Sequence, residues 1–198
     1  MKTARKVLLL VLCAALLVSA TVMGTIAYLS DSEAVVNTFT VGNVNIDINE
    51  TDIDKDNDTK ANKYEGLIPG MTIDKDPTVT VDANSDDCYL FVKVENGLSA
   101  IEIKEGETIA AQMAANGWLL VQDNVYIYTV DGEKAIVAAG ASKPVFKTFT
   151  LDGAIDETEL AIANNAEIKV TAYAIQTVGF ESSTAAQIWE ALQAELAD

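Results

Sequence analysis

The residues with the clearest chemistry lie in and just after an acidic stretch, residues 51–63 of a 198-residue chain. Carboxylates recur there at alternate positions, and an amide and a further carboxylate follow. Counted from the first aspartate, the set at positions one, three, five, nine and twelve is Asp54, Asp56, Asp58, Asn62 and Glu65. These are the offsets at which oxygen ligands surround the cation in a calcium-binding loop. The spacing therefore predicts a Ca²⁺ site.

Two features of the same stretch favour a solvated acidic loop that holds no cation. The sixth position is Thr59, whereas a calcium loop has a glycine there to make its sharp turn. The flanking sequence is typical of strands and turns, not of the helices that flank such loops. Both interpretations stay open, and Ca²⁺ is the one cofactor that the sequence suggests.

The chain contains no histidine, which limits the catalysis that it can perform. This excludes a Ser-His-Asp or Cys-His nucleophile and the paired histidines of a zinc-protease helix. Thirty acidic residues produce carboxylate pairs by chance, so no acid–base pair of a glycosidase is indicated. There is also no glycine-rich phosphate loop. We therefore expect that the protein is not an enzyme.

The N-terminus has the order of features that is typical of a secretory signal peptide. Basic residues come first, an apolar run spans residues 7–18, and small residues then lead to Ala27. We predict a signal peptide over residues 1–27, with cleavage between Ala27 and Tyr28. Cleavage after Ala20 also fits the pattern, and an uncleaved membrane anchor is the alternative for the whole segment.

The charge of residues 28–198 limits their partners. They carry ten basic against thirty acidic residues, and no basic cluster is present, so we expect no nucleic-acid partner. Cys88 is the one cysteine of this part, which rules out an intrachain disulfide. It lies in a strand-like run and is expected to be buried and inert, with an intermolecular disulfide as the alternative. We predict a secreted protein in the extracellular matrix or at the cell surface, without membrane attachment after cleavage.

The hydrophobic pattern predicts how the candidate residues are positioned. Short alternating runs separated by turns indicate about eight strands, of which residues 88–94 form the clearest and residues 118–130 a hairpin. Helices are predicted at residues 108–116 and from Thr184 to the C-terminus. We predict a mainly β fold, an antiparallel jelly roll or β-sandwich with two short helices, forming a single domain over residues 28–198.

The segment that cleavage would expose offers a different function, which is assembly. An apolar strand at a new N-terminus can pair with an exposed sheet edge of the next molecule. Residues 28–37 are the candidate donor strand, with Tyr28, Leu29, Val35 and Val36 as its apolar positions. Asp31 and Glu33 interrupt the alternation, and a frayed or self-packed terminus is the alternative.

Several of these motifs occur together in a known family. They are GTIAYLSD at residues 24–31, NTFTVG at 37–42, the Pro-Gly at 69–70 followed by KDP at 75–77, YLFVKV at 89–94 and AYAIQ at 172–176. The chain resembles the TasA/camelysin family of secreted proteins of Gram-positive bacteria. The signals of this family are cut by a dedicated signal peptidase of the SipW type.

The resemblance implies a jelly-roll subunit of extracellular biofilm matrix fibres. In fibre-forming members the segment exposed by processing inserts into the neighbouring subunit, which here would make residues 28–37 the donor. The implied partners are further copies of the chain in a homopolymer, the signal peptidase and an accessory fibre subunit. A surface adhesin or fibre-accessory protein that does not polymerise is the alternative, and a secreted metalloprotease is a third reading because some members have been classed so.

Overall fold

The computed structural model describes residues 32–33, 36–41, 43–55, 62–64 and 66–196. The predicted signal peptide and its cleavage site lie outside these residues. The described strands, in chain order, are β1 Ser32–Glu33, β2 Val36–Val41, β3 Ile46–Asn49, β4 Lys63–Tyr64, β5 Thr72–Asp74, β6 Thr78–Val81, β7 Cys88–Asn96, β8 Trp118–Gln122, β9 Val125–Val130, β10 Glu133–Lys134, β11 Ser142–Pro144, β12 Thr148–Thr150 and β13 Ile168–Gln176. The described helices are α1 Ile109–Ala115, α2 Glu157–Leu160 and α3 Ala185–Leu196, and a 3₁₀ turn spans Ala161–Asn165.

The larger sheet is built around two nine-residue strands. Its order is β10-β9-β7-β13-β2, and β8 pairs with β9. β7 and β13 are antiparallel along their whole length, from Ile168 opposite Asn96 to Gln176 opposite Cys88. On its other side β13 pairs in parallel with β2, and this is the one parallel pairing among the described strands. β2 therefore forms an edge of this sheet.

A second layer covers one face of the larger sheet. It consists of the antiparallel groups β11-β6-β3 and β12-β5. Alternate residues of β7, such as Leu90 and Val92, are fully buried against residues of this layer such as Val79. Because successive side chains of a strand point to opposite faces, the residues between them face the other way. The prediction of a mainly β, antiparallel sandwich is confirmed, with one additional short helix, α2.

Helix α3 covers the opposite face of the larger sheet. Its buried Trp189 packs on Phe91 and Tyr173, with ring centroids 5.5 and 4.9 Å apart. The helix begins where the sequence predicts, because Thr184 and Gln187 make reciprocal hydrogen bonds between side chain and main chain. β7 is thus buried on both faces, which explains its nearly continuous apolar sequence.

The predicted helix at residues 108–116 is also present, as α1. The Thr108 hydroxyl caps it by accepting a hydrogen bond from the Ala111 amide at 3.1 Å. It ends before Gly117, whose φ of 87° suits glycine. Within the described part of the chain, no helix is both long and apolar enough to cross a membrane.

Candidate functional site

The segment that precedes the sandwich fills one edge of the larger sheet. β2 pairs with β13 over six positions, from Val36 opposite Val170 to Val41 opposite Ile175. Since β7 occupies the other side of β13, this segment supplies the second set of main-chain partners for the strand. Of the predicted donor residues, Val36 begins β2, whereas Tyr28, Leu29 and Val35 lie outside the described residues.

The surface that receives β2 belongs to the core of the domain. In the stretch of β13 that pairs with it, Val170, Ala172 and Ala174 are each 0 % exposed and belong to the cluster between the two layers. Loss of β2 would free the main-chain groups of β13 next to these residues. In the described chain β2 provides the hydrogen-bond partners for these groups.

A second contact lies just before β2. Ser32 stands opposite Tyr64 and Glu33 opposite Lys63, in the antiparallel pair of β1 with β4. Glu33, one of the two acidic residues that interrupt the predicted donor strand, is therefore not part of the ladder with β13. The described N-terminal strands pair with the rest of the chain at two places, the edge of β13 and the end of the acidic stretch.

The acidic stretch is closed at its base by Asn62, which is 0 % exposed. Its Oδ1 accepts a hydrogen bond from the Ile53 amide at 2.7 Å, and its Nδ2 donates to the Thr51 carbonyl at 2.9 Å and to Glu50 Oε2 at 3.2 Å. Asn62 thus holds the two ends of the stretch together. Of the other predicted calcium ligands, Asp54 is exposed.

Asp56, Asp58 and Glu65 lie outside the described residues. The described part of the chain has no cluster of three or more Asp, Glu, Cys or His side chains that could hold a metal ion. The calcium site therefore stays a prediction.

A buried ion pair lies beneath the same stretch. Lys75 Nζ is 2.7 Å from Glu50 Oε1, and the two residues are 1 % and 4 % exposed. Burial lowers the pKa of Lys75, and the Glu50 carboxylate opposes that shift. Nearby, Asp76 accepts hydrogen bonds from the Thr51 amide and hydroxyl at 2.7 and 2.6 Å. The beginning of the acidic stretch is therefore hydrogen-bonded to the loop between β5 and β6.

Sequence reasoning missed this ion pair, although a signal for it existed. Glu50 directly follows β3 and lies two residues after the buried Ile48, and Lys75 directly follows β5 and lies two residues after the buried Ile73. Alternate residues of an extended chain point to the same side, so both charged side chains are expected to point into the core. Two opposite charges at inward-facing positions are expected to pair, because an unpaired buried charge is strongly unfavourable.

Tyr64, directly after the acidic stretch, is 7 % exposed. Burial, followed by the Glu50 carboxylate, raises its pKa above the ordinary value. Its hydroxyl has no hydrogen-bond partner among the described residues. Its ring belongs to the main hydrophobic cluster, which fixes the position of β4.

Cys88 is buried, as the sequence predicts. It is 0 % exposed, and burial raises the pKa of its thiol to about 12. A protonated thiol without solvent access is a poor nucleophile. These features argue against the alternative of an intermolecular disulfide.

The N-terminal part of the chain, residues 2–86, matches the family model described as camelysin metallo-endopeptidase. This match confirms the resemblance to the TasA/camelysin family. It covers β1 to β6 and the acidic stretch, whereas β7, β13 and α3 lie beyond it. No curated protein and no solved structure shows significant similarity to the chain. The N-terminal segment and its contact at β4 are therefore within the camelysin-like part.

Proposed function

We propose that this chain is a secreted structural subunit of extracellular matrix fibres, joined by N-terminal strands that pass from one subunit to the next. The observation that carries the proposal is the pairing of β2 with β13. A strand at the extreme edge of the sheet, close to the predicted mature N-terminus, completes a core strand through six main-chain pairings. The camelysin family match over residues 2–86 supports the resemblance from which a fibre subunit is expected, and the exchange of strands rests on the pairing of β2 alone.

Exchange of this segment between copies conserves the contacts that it makes within one chain. The ladder between β2 and β13 can have the same hydrogen bonds whether the two strands come from one molecule or from two. The free energies of the monomer and of the strand-exchanged assembly therefore differ little, apart from the entropy lost on association. The donor strand and the β13 edge that accepts it are different surfaces. Two molecules joined by one exchanged strand therefore still have one unused donor strand and one unused β13 edge. Such head-to-tail contacts extend into a filament unless their rotation closes a ring.

The described pairing suggests a longer donor than residues 28–37. The ladder with β13 continues to Val41, and β1 adds a contact at Ser32–Glu33. The exchanging segment in this proposal is therefore residues 28–41, with the hinge between β2 and β3. The partners are further copies of the chain, the signal peptidase that releases Tyr28 and an accessory fibre subunit.

The alternative functions give different results in simple assays. A surface adhesin that does not polymerise would stay monomeric at high concentration. The family description favours a metallo-endopeptidase, but the chain lacks histidine, the ligand type of the common zinc-protease motifs. We propose that the chain is not an enzyme, and the test is casein cleavage with and without a chelator.

Electron microscopy of the purified mature chain, residues 28–198, tests the proposal. We expect fibres from this chain and none from a chain that begins at residue 42. A synthetic peptide of residues 28–41 should restore the stability of the shortened chain without restoring fibres, because it fills the edge of β13 but links nothing. Fibres from both chains, or from neither, would refute the donor-strand proposal.

A further inference from the structure

We propose that the side chains of Lys75 and Asn62 become joined by an intramolecular isopeptide bond, with Glu50 as the catalytic acid and base. In this reaction the lysine amine displaces ammonia from the asparagine amide, and the chain itself supplies every reacting group. In the structure the three side chains meet around one carboxyl group, in the arrangement of the reactants. The site is separate from the edge of β13, so the proposal does not depend on fibre formation.

Glu50 holds the two reacting groups together. Its Oε1 is 2.7 Å from Lys75 Nζ, and its Oε2 accepts a hydrogen bond from Asn62 Nδ2 at 3.2 Å. An amine and an amide are therefore bound to the two oxygens of one carboxyl group. All three residues are buried, so bulk water, which would compete with the amine, is excluded. Such proximity makes a reaction within one chain far faster than the same reaction between two molecules.

Main-chain contacts orient the Asn62 amide and activate its carbonyl group. Oδ1 accepts a hydrogen bond from the Ile53 amide at 2.7 Å, and Nδ2 donates to the Thr51 carbonyl at 2.9 Å. When an amine adds to Cγ, negative charge develops on Oδ1. An N–H group that already donates to this oxygen stabilises that charge without any rearrangement.

Lys75 can act as the nucleophile once it has lost a proton. Burial lowers the pKa of Lys75, because the charged ammonium group loses its hydration in the core. The hydrogen bond to Glu50 Oε1 provides a path for the proton, and its transfer leaves a neutral amine beside a neutral carboxylic acid. A neutral, buried lysine amine attacks carbonyl carbon effectively.

The reaction balances without an oxidant, a reductant or a further reactant. Nζ must first move to within about 3–3.5 Å of Asn62 Cγ. It then forms a C–N bond, and an electron pair of the C=O bond moves onto Oδ1. The carboxylic acid of Glu50 gives its proton to Nδ2 and accepts the surplus proton of Nζ. The C=O bond forms again, the bond between Cγ and Nδ2 breaks, and neutral ammonia leaves with that electron pair.

The bond gives the chain a covalent link that its cysteines do not supply. Residues 28–198 contain one cysteine, the buried Cys88, so an intrachain disulfide is not available. A link between residues 62 and 75 joins the base of the acidic stretch to the end of β5 and limits the freedom of the unfolded chain, as a disulfide does. It also replaces a buried pair of charges with neutral groups, whose burial costs less.

The mass of the natural mature chain tests the proposal directly. Formation of the bond releases one ammonia molecule, so we expect a mass about 17 Da below that of the sequence of residues 28–198. After digestion with trypsin, residues 61–63 should remain attached to residues 64–93, uncut at Lys75, because trypsin does not cleave after an acylated lysine. Fragmentation of this branched peptide identifies the two linked side chains.

Variants test the role of each group. Lys75→Arg lacks the amine and Asn62→Ala lacks the amide, so neither should lose ammonia. Glu50→Gln keeps both reactants but cannot carry the protons, and it should form the bond at least about 100-fold more slowly. As a matched control, Lys93→Arg alters the exposed pair with Glu95 and should lose ammonia as completely as the natural chain.

The decisive measurement is made on the natural chain and does not require any variant to fold. A natural chain with the full mass of its sequence would overturn the proposal. So would a loss of ammonia that persists in Lys75→Arg, because the main-chain amide that follows Asn62 can also displace ammonia, to give a cyclic imide without lysine. Since the bond adds its own stability, the ion pair by itself is compared in chains whose mass shows no loss of ammonia.

Discussion

Replacement of Lys75 by methionine is expected to lower the free energy of unfolding of the mature chain by about 3–5 kcal/mol. The ammonium group is 2.7 Å from Glu50 Oε1, and Lys75 is 1 % exposed. Without it, the buried Glu50 carboxylate would keep one described side-chain partner, the Asn62 amide at 3.2 Å. The large effect therefore comes from the uncompensated carboxylate, since methionine fills a similar volume.

The chain offers a matched control in its other described Lys–Glu pair. Lys93 Nζ is 2.9 Å from Glu95 Oε1, but the two side chains are 37 % and 43 % exposed. Lys93→Met should lower the free energy of unfolding by less than about 1 kcal/mol, because water solvates the remaining carboxylate. Both variants are compared with the natural sequence by urea unfolding, followed through the fluorescence of Trp118 and Trp189.

A third variant isolates the cause. Replacing both buried partners, with Glu50→Leu and Lys75→Met, removes the carboxylate along with the ammonium group and should recover much of the lost stability. Equal, small losses for Lys75→Met and Lys93→Met would show that the buried Glu50 carboxylate does not depend on Lys75. So would a double variant as unstable as the sum of its single variants.

Three further predictions concern the scaffold, and all use the same unfolding assay. Burial raises the pKa of Cys88 to about 12 from an ordinary value of 9.0, so the unfolded chain loses this proton first and stability should fall as the pH rises from about 9 towards 12. That part of the fall should be absent in Cys88→Ala. The Gln112 side-chain amide donates two hydrogen bonds to main-chain carbonyls and accepts two from main-chain amides, so Gln112→Met should destabilise by about 2–3 kcal/mol. An equal loss in Gln193→Met, on the exposed side of α3, would argue against this role. Gly117→Ala should destabilise by about 1–3 kcal/mol and by more than Gly132→Ala, because both glycines have positive φ but only the former would place its Cβ 2.7 Å from a carbonyl oxygen.

Local patterns in the sequence predicted the elements whose signal lies within a few residues. The alternation from Cys88, the turn between the two strands of the hairpin and the Thr184 cap are read directly from neighbouring residue types. These elements appear in the structure as β7, the β8–β9 pair and α3. The patterns are sufficient because neighbouring residue types alone produce the alternation, the turn and the cap, although β7 and α3 pack against partners that are far away in sequence.

Pairings between distant parts of the chain were not predictable in the same way. The parallel register of β2 with β13 depends on which edge of the core is left free, and no local pattern encodes that choice. Strands of two or three residues, such as β4 and β12, are too short to show an alternation. The sequence shows that Glu50 and Lys75 continue buried alternations, but only the three-dimensional structure shows that the two residues pair.

If β2 of one copy occupies the edge of β13 in another, an interchain disulfide between the two strands should capture the contact. Thr38 stands opposite Ala172 in this ladder, and neighbouring strands are close enough for cysteines at opposite positions to bond. Thr38→Cys and Ala172→Cys are placed in separate mature chains that carry Cys88→Ala, and the chains are mixed, assembled and oxidised. We expect covalent heterodimers that appear with the fibres. Fibres without this covalent link, with the link forming only when both cysteines are in one chain, would rule out exchange of β2 between copies.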